Sequence, residues 1–284
     1  MKDESHFFVK KSDQLDVKGL VVLENITKLP LYGESVLAPF FSLTLNHNGH
    51  SRIEYDFKTL EYHRHDFSLI YPNHVLKAIE SSEDYQATVL IMSPHFINVL
   101  RKIFPEHYRF EFHFNNVFHL NDYQYEAINS CIRQISILNA LEHPDREELI
   151  ASQVDIMARM TEIFMRENGN VLIDNKNGVK QLLFRFHAAI AENYTKHRNV
   201  KFYADLLCLS PKYFGTMVRK ATGVTASEWI ARYVMVHAKH LLRYHRDVSI
   251  QQISDRLGFA DQTSFSHYFK GHTKLSPLEY RERK

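Results

Sequence analysis

The sequence predicts an α+β protein of two domains: a small antiparallel β barrel with two long helices, followed by an all-α domain. Three observations lead to this prediction. From Phe40 to Met92, short runs rich in β-branched and aromatic residues alternate with turn residues. Beyond residue 179, apolar residues recur at helical spacing and capping residues mark helix starts. The charge divides at the same place, because residues 1–178 carry 17 Lys and Arg against 25 Asp and Glu, whereas residues 179–284 carry 18 against 8.

A series of strand-like runs accounts for the barrel. After GLVVLEN near the N-terminus come APFFSLTLN, HSRIEYDFK, FSLIYP, HVLKAIES and YQATVLIM. Several short strands at close spacing are typical of small antiparallel barrels or sandwiches. Ser93 and Pro94 then predict a short helix through about Lys102, because Ser caps a helix and Pro fits its first position.

Two long helices follow the strands. Residues 122–140 place apolar side chains at helical spacing behind the capping residue Asn121, and a second helix runs from Pro144 to about Asn168. These helices could cover the barrel or present a face to a second subunit. We favour a role in a homodimer, because a short barrel needs little helical cover. Residues 169–178, with two Gly and three Asn, are the best candidate for a linker.

Residues 179–284 consist of helices and turns. Gly223 ends one helix by a left-handed cap. Helix starts are marked by Ser210 with Pro211, by Thr225 with Glu228, by Ser249 with Gln252 and by Ser276 with Glu279. These signals predict a helix at 179–195, a helix-turn-helix at about 200–222, a linker helix at 226–244 and a second helix-turn-helix at about 250–272.

The two helix-turn-helix segments are copies of one another, hereafter the first and the second copy. At an offset of 50 residues, Ala204 matches Ser254, Leu207 matches Leu257 and Cys208 matches Gly258. At an offset of 51, the matches are Phe214 with Phe265, Thr222 with Thr273, Thr225 with Ser276, Glu228 with Glu279 and Trp229 with Tyr280. Shared core positions with differing surface positions are expected of two modules that recognise different sequences.

The second copy strongly resembles the AraC/XylS family of bacterial transcription regulators. The residues that carry the resemblance are Ile253-Ser254, Leu257-Gly258-Phe259, Asp261 to Ser266, Phe269-Lys270 and Ser276 to Arg281, with a weaker match over residues 180–284 that includes Ser210, Phe214 and Gly223. Lys274 and Cys208 depart from the family pattern, because each stands where Gly is common. We expect Lys274 to be a left-handed residue, which costs roughly 1 kcal/mol.

The resemblance implies which side chains read DNA. Base-contacting positions fall on Lys212, Gly215 and Thr216 in the first copy and on Gln262, Thr263, Ser266 and His267 in the second. Gln pairs with adenine, His donates to guanine and the Thr methyl contacts thymine. Gly215 has no side chain, so the first copy offers fewer specific contacts. Better placed for phosphates, which determine affinity and salt dependence, are Arg219, Ser264 and Lys270.

The N-terminal region is similar, at the level of fold, to the cupin-like sensory domain of many of these regulators. Cupin enzymes hold a metal with a His-x-His pair, a Glu and a later His, and this chain has His63 and His65 with Glu61 and His74 nearby. The surrounding glycines are absent, so we expect ordinary histidines and no metal. Aromatic residues of the β region are expected in the core, although they could line a ligand pocket: Phe40, Phe41, Tyr55, Phe57, Phe67 and Tyr71.

These expectations define a domain plan. Residues 1–168 are a cupin-like sensory and dimerisation domain, 169–178 a linker, and 179–284 an AraC-type DNA-binding domain. We expect a transcription regulator that binds double-stranded DNA as a homodimer and is gated by a small-molecule effector. The resemblance implies RNA polymerase as a further partner. One alternative is a constitutive regulator whose first domain only dimerises. Another is a cupin enzyme fused to a DNA-binding module, but we find no catalytic constellation and expect no cofactor.

The cellular location follows from the cysteines and the hydropathy. Cys131 and Cys208 lie in apolar helical patterns, and two cysteines are too few for a disulfide framework. We expect buried free thiols in a reducing compartment. The first residues are polar and charged, and no apolar run approaches the roughly 18 residues of a membrane span. The chain is therefore expected to be soluble and cytoplasmic, without a membrane partner.

Overall fold

The chain divides into two compact units, Met1–Lys176 and Asn177–Lys284. The computed structural model describes residues 19–29, 35–38, 40–56, 58–72, 74–93, 96–97, 116–168 and 178–283. The predicted linker lies outside these ranges except for Gly178. The fold class predicted above is confirmed, because the first unit is an antiparallel β structure with two long helices and the second is helical. Within the described ranges, no helix is both long and apolar enough to cross a membrane.

The first unit contains two antiparallel sheets. Its strands are β1 (Leu20–Ile26), β2 (Val36–Leu37), β3 (Phe41–Asn48), β4 (Ser51–Tyr55), β5 (Lys58–Tyr62), β6 (Asp66–Ile70), β7 (Val75–Ser81), β8 (Gln86–Met92) and β9 (Val117–His119). One sheet has the order β1-β8-β3-β6-β9 and the other β2-β7-β4-β5. The predicted run HSRIEYDFK is interrupted at Asp56, whose φ of 45° turns the chain from β4 into β5. The predicted helix at Ser93 is described only at Phe96 and Ile97, and the Ser93 hydroxyl accepts a hydrogen bond from the Phe96 amide.

Two helices cover the five-stranded sheet. They are α1 (Asp122–Asn139), which Asn121 caps with the predicted side-chain bond, and α2 (Arg146–Glu167), which starts two residues after Pro144. Their inner residues join the sheet in one apolar cluster that includes Leu43, Leu45, Phe67, Leu69, Leu90, Ile128, Ile132, Ile150 and Val154. Most residues of β6 and β8 are buried, and the helices cover one face of the sheet to which these strands belong.

The second unit is helical throughout its described residues. Its helices are α3 (Gly178–Asn193), α4 (Val200–Leu206), α5 (Pro211–Thr222), α6 (Ala226–Tyr244), α7 (Ile250–Arg256), α8 (Gln262–Thr273) and α9 (Pro277–Glu282). Helices α4 and α5 form the first predicted helix-turn-helix, α6 is the linker helix, and α7 and α8 form the second. The capping boxes at Ser249 and Ser276 are present. The one predicted at Thr225 was half wrong: its hydroxyl accepts from the Glu228 amide, but the Glu228 carboxylate pairs with Arg232.

Four left-handed residues end helices or form turns in this unit. Lys274 has the predicted positive φ, 66°, and its amide donates to the Lys270 carbonyl. Gly223 ends α5 at φ 79°, while Cys208 and Gly258 occupy matching turns at φ 58° and 71°. The expectation of two buried cysteines was wrong for one of them. Cys131 is buried, but Cys208 is exposed because it lies in the turn after α4 and not on an apolar helix face.

The matching turns of the two copies differ in their surroundings. A Cβ placed on Gly258 would lie 1.7 Å from the carbonyl oxygen of Thr195, so only glycine fits there. The matching turn of the first copy holds the exposed Cys208. At the other left-handed glycine, Gly223 at the end of α5, a Cβ would have no heavy atom within 4 Å. The second copy is therefore pressed against the segment that follows α3, and the glycine is required by this close approach.

Replacing these two glycines separates conformational strain from collision. We expect Gly223→Ala to lower the free energy of unfolding of the second unit by about 1 kcal/mol, the cost of a left-handed L-residue. Gly258→Ala adds the clash with Thr195 and should cost at least about 3 kcal/mol. Urea unfolding monitored by the fluorescence of Trp229, the single Trp of the chain, reports on this unit. Equal losses for the two variants would contradict the close approach.

Candidate nucleic-acid interface

Helix α5 of the first copy buries one side and exposes the other. Phe214 and Val218 are fully buried, and the Phe214 ring meets Phe186 of α3 edge-on at 4.8 Å between centroids. The predicted reading residues Lys212 and Thr216 lie on the opposite side and are exposed, as is Arg219, the predicted phosphate contact. The backbone of the third predicted reading residue, Gly215, is half-buried. A Cβ on Gly215 would meet no heavy atom within 4 Å, so this position faces open space.

Helix α8 of the second copy has the same two-sided character. Phe265 and Phe269 are fully buried and pack into a cluster with Ile253, Leu257 and Leu242. The predicted residues of the outer side are Gln262, Thr263, Ser264, His267 and Lys270, which are exposed, and Ser266, which is half-buried. The structure thus brings six predicted side chains together on one helix face, and it places the first-copy set on a separate helix.

The helix start of the second copy carries a fixed negative charge. Asp261 caps α8 by accepting a hydrogen bond from the Ser264 amide at 2.6 Å. Bonds from the amide and hydroxyl of Ser264 lower the pKa of the Asp261 carboxyl, which is therefore ionised at neutral pH. Since this charge would repel a phosphate, Ser264 is less suited to a phosphate contact than Lys270, which lies at the far end of the helix.

The two copies also differ in the hydrogen-bonding capacity of their reading residues. The Thr216 hydroxyl donates to the Lys212 carbonyl at 2.9 Å, so its proton is already used within the helix. Its methyl group and its acceptor lone pairs remain for a ligand. Together with the absence of a side chain at Gly215, this leaves the predicted reading residues of the first copy with fewer groups free to bond a ligand.

An exposed aromatic residue of α5 is missing from the sequence prediction. Tyr213 is 54% exposed and follows Lys212, on the flank between the reading face and the buried side. Lys220 lies two turns further on the same flank and is also exposed. A helical projection could have identified this flank, but an aromatic residue in an amphipathic helix is ordinarily counted with the core.

The linker helix α6 is anchored by buried aromatic and histidine side chains. The ring of His237 stacks on Tyr194 at 4.4 Å between centroids, and Tyr233 is 1% exposed. Burial, together with the nearby His240, lowers the pKa of His237 to about 4, so this side chain is neutral at physiological pH. The middle of the helix is therefore held by stacked and buried side chains around His237.

The structure gives the histidines of the first unit separate partners. His63 lies 3.9 Å from the Glu61 carboxylate, and His65 stacks on Tyr125 at 4.0 Å between centroids. His74 is buried and bonded to Asp56, and burial lowers its pKa to about 3. The His-x-His pair thus points to two different neighbours.

The aromatic residues of the β region are divided among three apolar clusters. Phe41, Phe67 and Tyr71 belong to the cluster under α1 and α2, Tyr55 lies in a cluster with Tyr62 and Leu76, and Phe40 packs with Val21 and Ile91. Phe57 lies outside the described residues. The aromatic residues that the structure describes thus pack in apolar cores, which is the alternative that we favoured over a ligand pocket.

Comparisons with known proteins centre on the second unit. A family profile described as a helix-turn-helix domain matches residues 203–283. The uncharacterized transcriptional regulatory protein YesN of Bacillus subtilis is 35% identical over 80 residues, which make up 28% of this chain and 22% of YesN. The HTH-type transcriptional activator RhaS of Enterobacter sp. (strain 638) is 25% identical over 199 residues, 68% of each protein. The chain thus spans between about a fifth and two thirds of these curated relatives.

Solved structures align as well. ToxT from Vibrio cholerae strain SCE256, with bound unsaturated fatty acid, aligns over 92% of this chain and 94% of ToxT, at 14% identity and a TM-score of 0.47. The C-terminal domain of the response regulator yesN from Fusobacterium nucleatum aligns over 34% of this chain and 94% of that domain, at 27% identity and a TM-score of 0.32. Residues 203–283 thus match a helix-turn-helix domain, and the relatives that align with the chain are named as transcription regulators.

Proposed function

We propose that the chain is a sequence-specific, DNA-binding transcription regulator of the AraC/XylS type and not an enzyme. The observation that carries the proposal is the duplicated arrangement of α5 and α8, two helices with buried phenylalanines and outward polar side chains. Residues 179–284, which contain both helices, carry 18 basic against 8 acidic side chains. A basic unit with two such helices suits DNA, since phosphate attraction supplies affinity and exposed polar groups read base edges.

The linker helix sets the distance between the two copies. At 1.5 Å per residue, the 19 residues of α6 extend about 28 Å. Successive major grooves on one face of DNA lie about 34 Å apart. We infer that one chain places α5 and α8 in adjacent major grooves and covers close to two helical turns.

Several finer roles complete the proposal. Because RhaS is named a transcriptional activator, we propose activation rather than repression, with RNA polymerase as the downstream partner. A regulator of bacterial DNA works in the cytoplasm, where an exposed thiol such as Cys208 stays reduced. The domain plan follows: a sensory and dimerisation unit, a linker at 169–178 and a DNA-binding unit.

Selection of DNA fragments by the purified chain tests the proposal and the assignment of the reading residues. We expect enriched fragments with two half-sites one helical turn apart. Gln262→Ala and His267→Ala should broaden the sequence preference at one half-site by about 1–3 kcal/mol per base contact. Thr216→Ala should change less, because the Thr216 hydroxyl is engaged with Lys212.

Two outcomes would contradict these assignments. Fragments protected over a single major groove would exclude binding by both copies. A larger loss of preference for Thr216→Ala than for Gln262→Ala would place the dominant reader in the first copy. Lys274→Ala serves as a matched control, since Lys274 is exposed at the end of α8 outside the reading face.

A homodimer is supported by an apolar stripe on α2. Leu149, Ile156 and Ile163 recur at seven-residue spacing and are 44%, 49% and 53% exposed. They lie opposite the buried face that packs on α1 and the sheet. Seven-residue spacing places them along one line of the helix, as in helices that pair with a second helix. We propose that α2 of a second copy covers this stripe.

A single charge in the middle of this stripe should abolish the dimer. We expect Ile156→Lys to be monomeric in sedimentation velocity at concentrations where the unmodified chain is dimeric, because an ammonium group opposite its own copy is desolvated and repelled. Leu278→Lys is the matched control, because Leu278 is 54% exposed on α9 of the other unit. An undisturbed dimer in Ile156→Lys would exclude α2 as the interface.

Effector gating is supported by polar groups buried in the first unit. Asn46 Nδ2 and Ser51 Oγ lack a hydrogen-bond partner among the described residues, and both residues are almost fully buried. The side-chain oxygen of Asn46, Oδ1, accepts from the hydroxyl of the buried Tyr85 at 3.3 Å. An unpaired buried polar group costs about 1–3 kcal/mol, so a polar ligand that bonds to them would be favoured. We propose a hydroxyl-bearing small molecule as the effector.

Thermal unfolding in the presence of small polar metabolites checks the effector. At one hundred times its dissociation constant, a ligand stabilises the native unit by about 2.7 kcal/mol, which raises the unfolding midpoint by about 5 °C or more. Ser51→Ala should reduce this shift, because it removes an orphaned hydroxyl that the ligand would engage. The absence of a shift with every candidate would favour the alternative regulator whose first unit only dimerises.

A further inference from the structure

Arg198, in the segment between α3 and α4, contacts the second copy. Its guanidinium carbon lies 3.8 Å from the centroid of the Phe259 ring, and one of its nitrogens donates to the Leu257 carbonyl. Both partners belong to the turn between α7 and α8. An Arg suits this position because the face of its planar guanidinium stacks on an aromatic ring while its N–H groups donate in the plane of the guanidinium.

The same segment is tied to the first copy on its other side. Asn199, next to Arg198, caps α4 by accepting from the Phe202 amide at 2.8 Å. The Tyr203 hydroxyl of α4 donates to the His197 carbonyl at 2.7 Å. Arg198 thus lies between two residues, His197 and Asn199, that are each hydrogen-bonded to α4.

The contacts continue to both reading helices. In the second copy, Phe259 packs against Phe265 of α8 at 5.3 Å between centroids. In the first copy, Tyr203 packs on Phe186 at 5.7 Å, and Phe186 packs on Phe214 of α5 at 4.8 Å. Packed side chains, joined through the hydrogen bond from Tyr203 to the His197 carbonyl, therefore connect α5 to α8 without passing through α6.

A second connection has a mechanical consequence. Helix α6 packs on the second copy through Leu242, which lies in the cluster of Phe265 and Phe269. A contact away from the axis of α6 adds a second restraint on the rotation of each copy about that axis. The fit of Gly258 against the Thr195 carbonyl shows how close the approach is at this point.

We propose that Arg198 is a positioning residue that fixes the relative orientation of the two reading helices and thereby the spacing of half-sites the chain accepts. This role rests on the proposed function, since the orientation matters only if α5 and α8 enter neighbouring grooves. Arg198 itself is half-buried behind the turn of the second copy and is assigned no contact with DNA.

Binding to DNA with altered half-site spacing tests this role. Two inserted base pairs rotate one half-site by about 70° relative to the other, because one turn takes about 10.5 base pairs. We expect the unmodified chain to lose at least about tenfold in affinity on insertion, and Arg198→Ala to lose less than about threefold. Arg198→Ala should bind a single half-site with an affinity within about twofold of that of the unmodified chain.

Two controls separate positioning from charge and from stability. Lys196→Ala removes the same charge from the same segment, where the side chain is exposed, and should keep the full spacing penalty. Arg198→Lys keeps the charge but cannot stack and donate in the same way, so it should behave as Arg198→Ala. A full insertion penalty in Arg198→Ala would overturn the inference, whereas failure of the unmodified chain to bind DNA specifically would overturn the proposed function instead.

A measurement without DNA tests the orientation directly. Spin labels on Lys220→Cys and His272→Cys, in a background carrying Cys131→Ser and Cys208→Ser, report the distance between the exposed ends of α5 and α8. We expect a single narrow distance distribution for the otherwise unmodified chain and a broader one for Arg198→Ala. Equal widths would show that α6 alone sets the orientation and would overturn the inference.

Discussion

The complete burial of the phenylalanines beneath the two reading helices is the constraint on which the C-terminal unit depends. Phe214, Phe265 and Phe269 are each 0% exposed. Removing one such ring ordinarily costs about 3–5 kcal/mol, a large share of the stability of a small unit. Because this burial determines the rotation of each helix about its own axis, it also determines which side faces solvent. The polar residues on that side are then free to be chosen for recognition and not for folding.

Much of this unit could be predicted from local signals. The caps at Ser249 and Ser276 require only residues three positions apart, and the left-handed Lys274 follows from its place in the repeat. The contact of Arg198 with Leu257 could not be predicted, since it joins residues 59 positions apart and leaves no periodic pattern. The exposure of Cys208 was missed for a related reason, because an apolar neighbourhood in sequence does not show that a residue occupies a turn.

The first unit shows the same limit of local reasoning. The runs that became β3, β6 and β8 are rich in apolar residues because a sheet face lies under α1 and α2. Strand β5 escaped prediction, because its sequence KTLEY has mostly exposed residues and follows the turn at Asp56. Helical spacing in the sequence places the proposed reading residues on one helix face. It does not show that the Thr216 hydroxyl is bonded to the Lys212 carbonyl, which only the structure reveals.

Strand β3 connects the two roles proposed for the first unit. Leu45 points into the cluster under the helices, and its neighbour Asn46, which is buried, points to the other face of the sheet. Neighbouring residues of a strand point to opposite faces, so a displacement of Asn46 by a ligand is transmitted to Leu45 within one residue. A signal from the polar interior would therefore reach the helices, one of which carries the proposed dimer stripe, through a single strand.

The open surroundings of Gly215 bear on how such a regulator acquires new targets. No heavy atom lies within 4 Å of a Cβ at this position, and the residue is inside a regular helix. Replacing a mid-helix glycine by alanine stabilises a helix by roughly 0.5–1 kcal/mol, so a new side chain would bring added stability along with a new contact. Most gains of binding specificity consume stability, but at this position an evolving chain would gain both. The first copy therefore has room for a new side chain at Gly215, while the second copy has none at Gly258, whose turn is closed against Thr195.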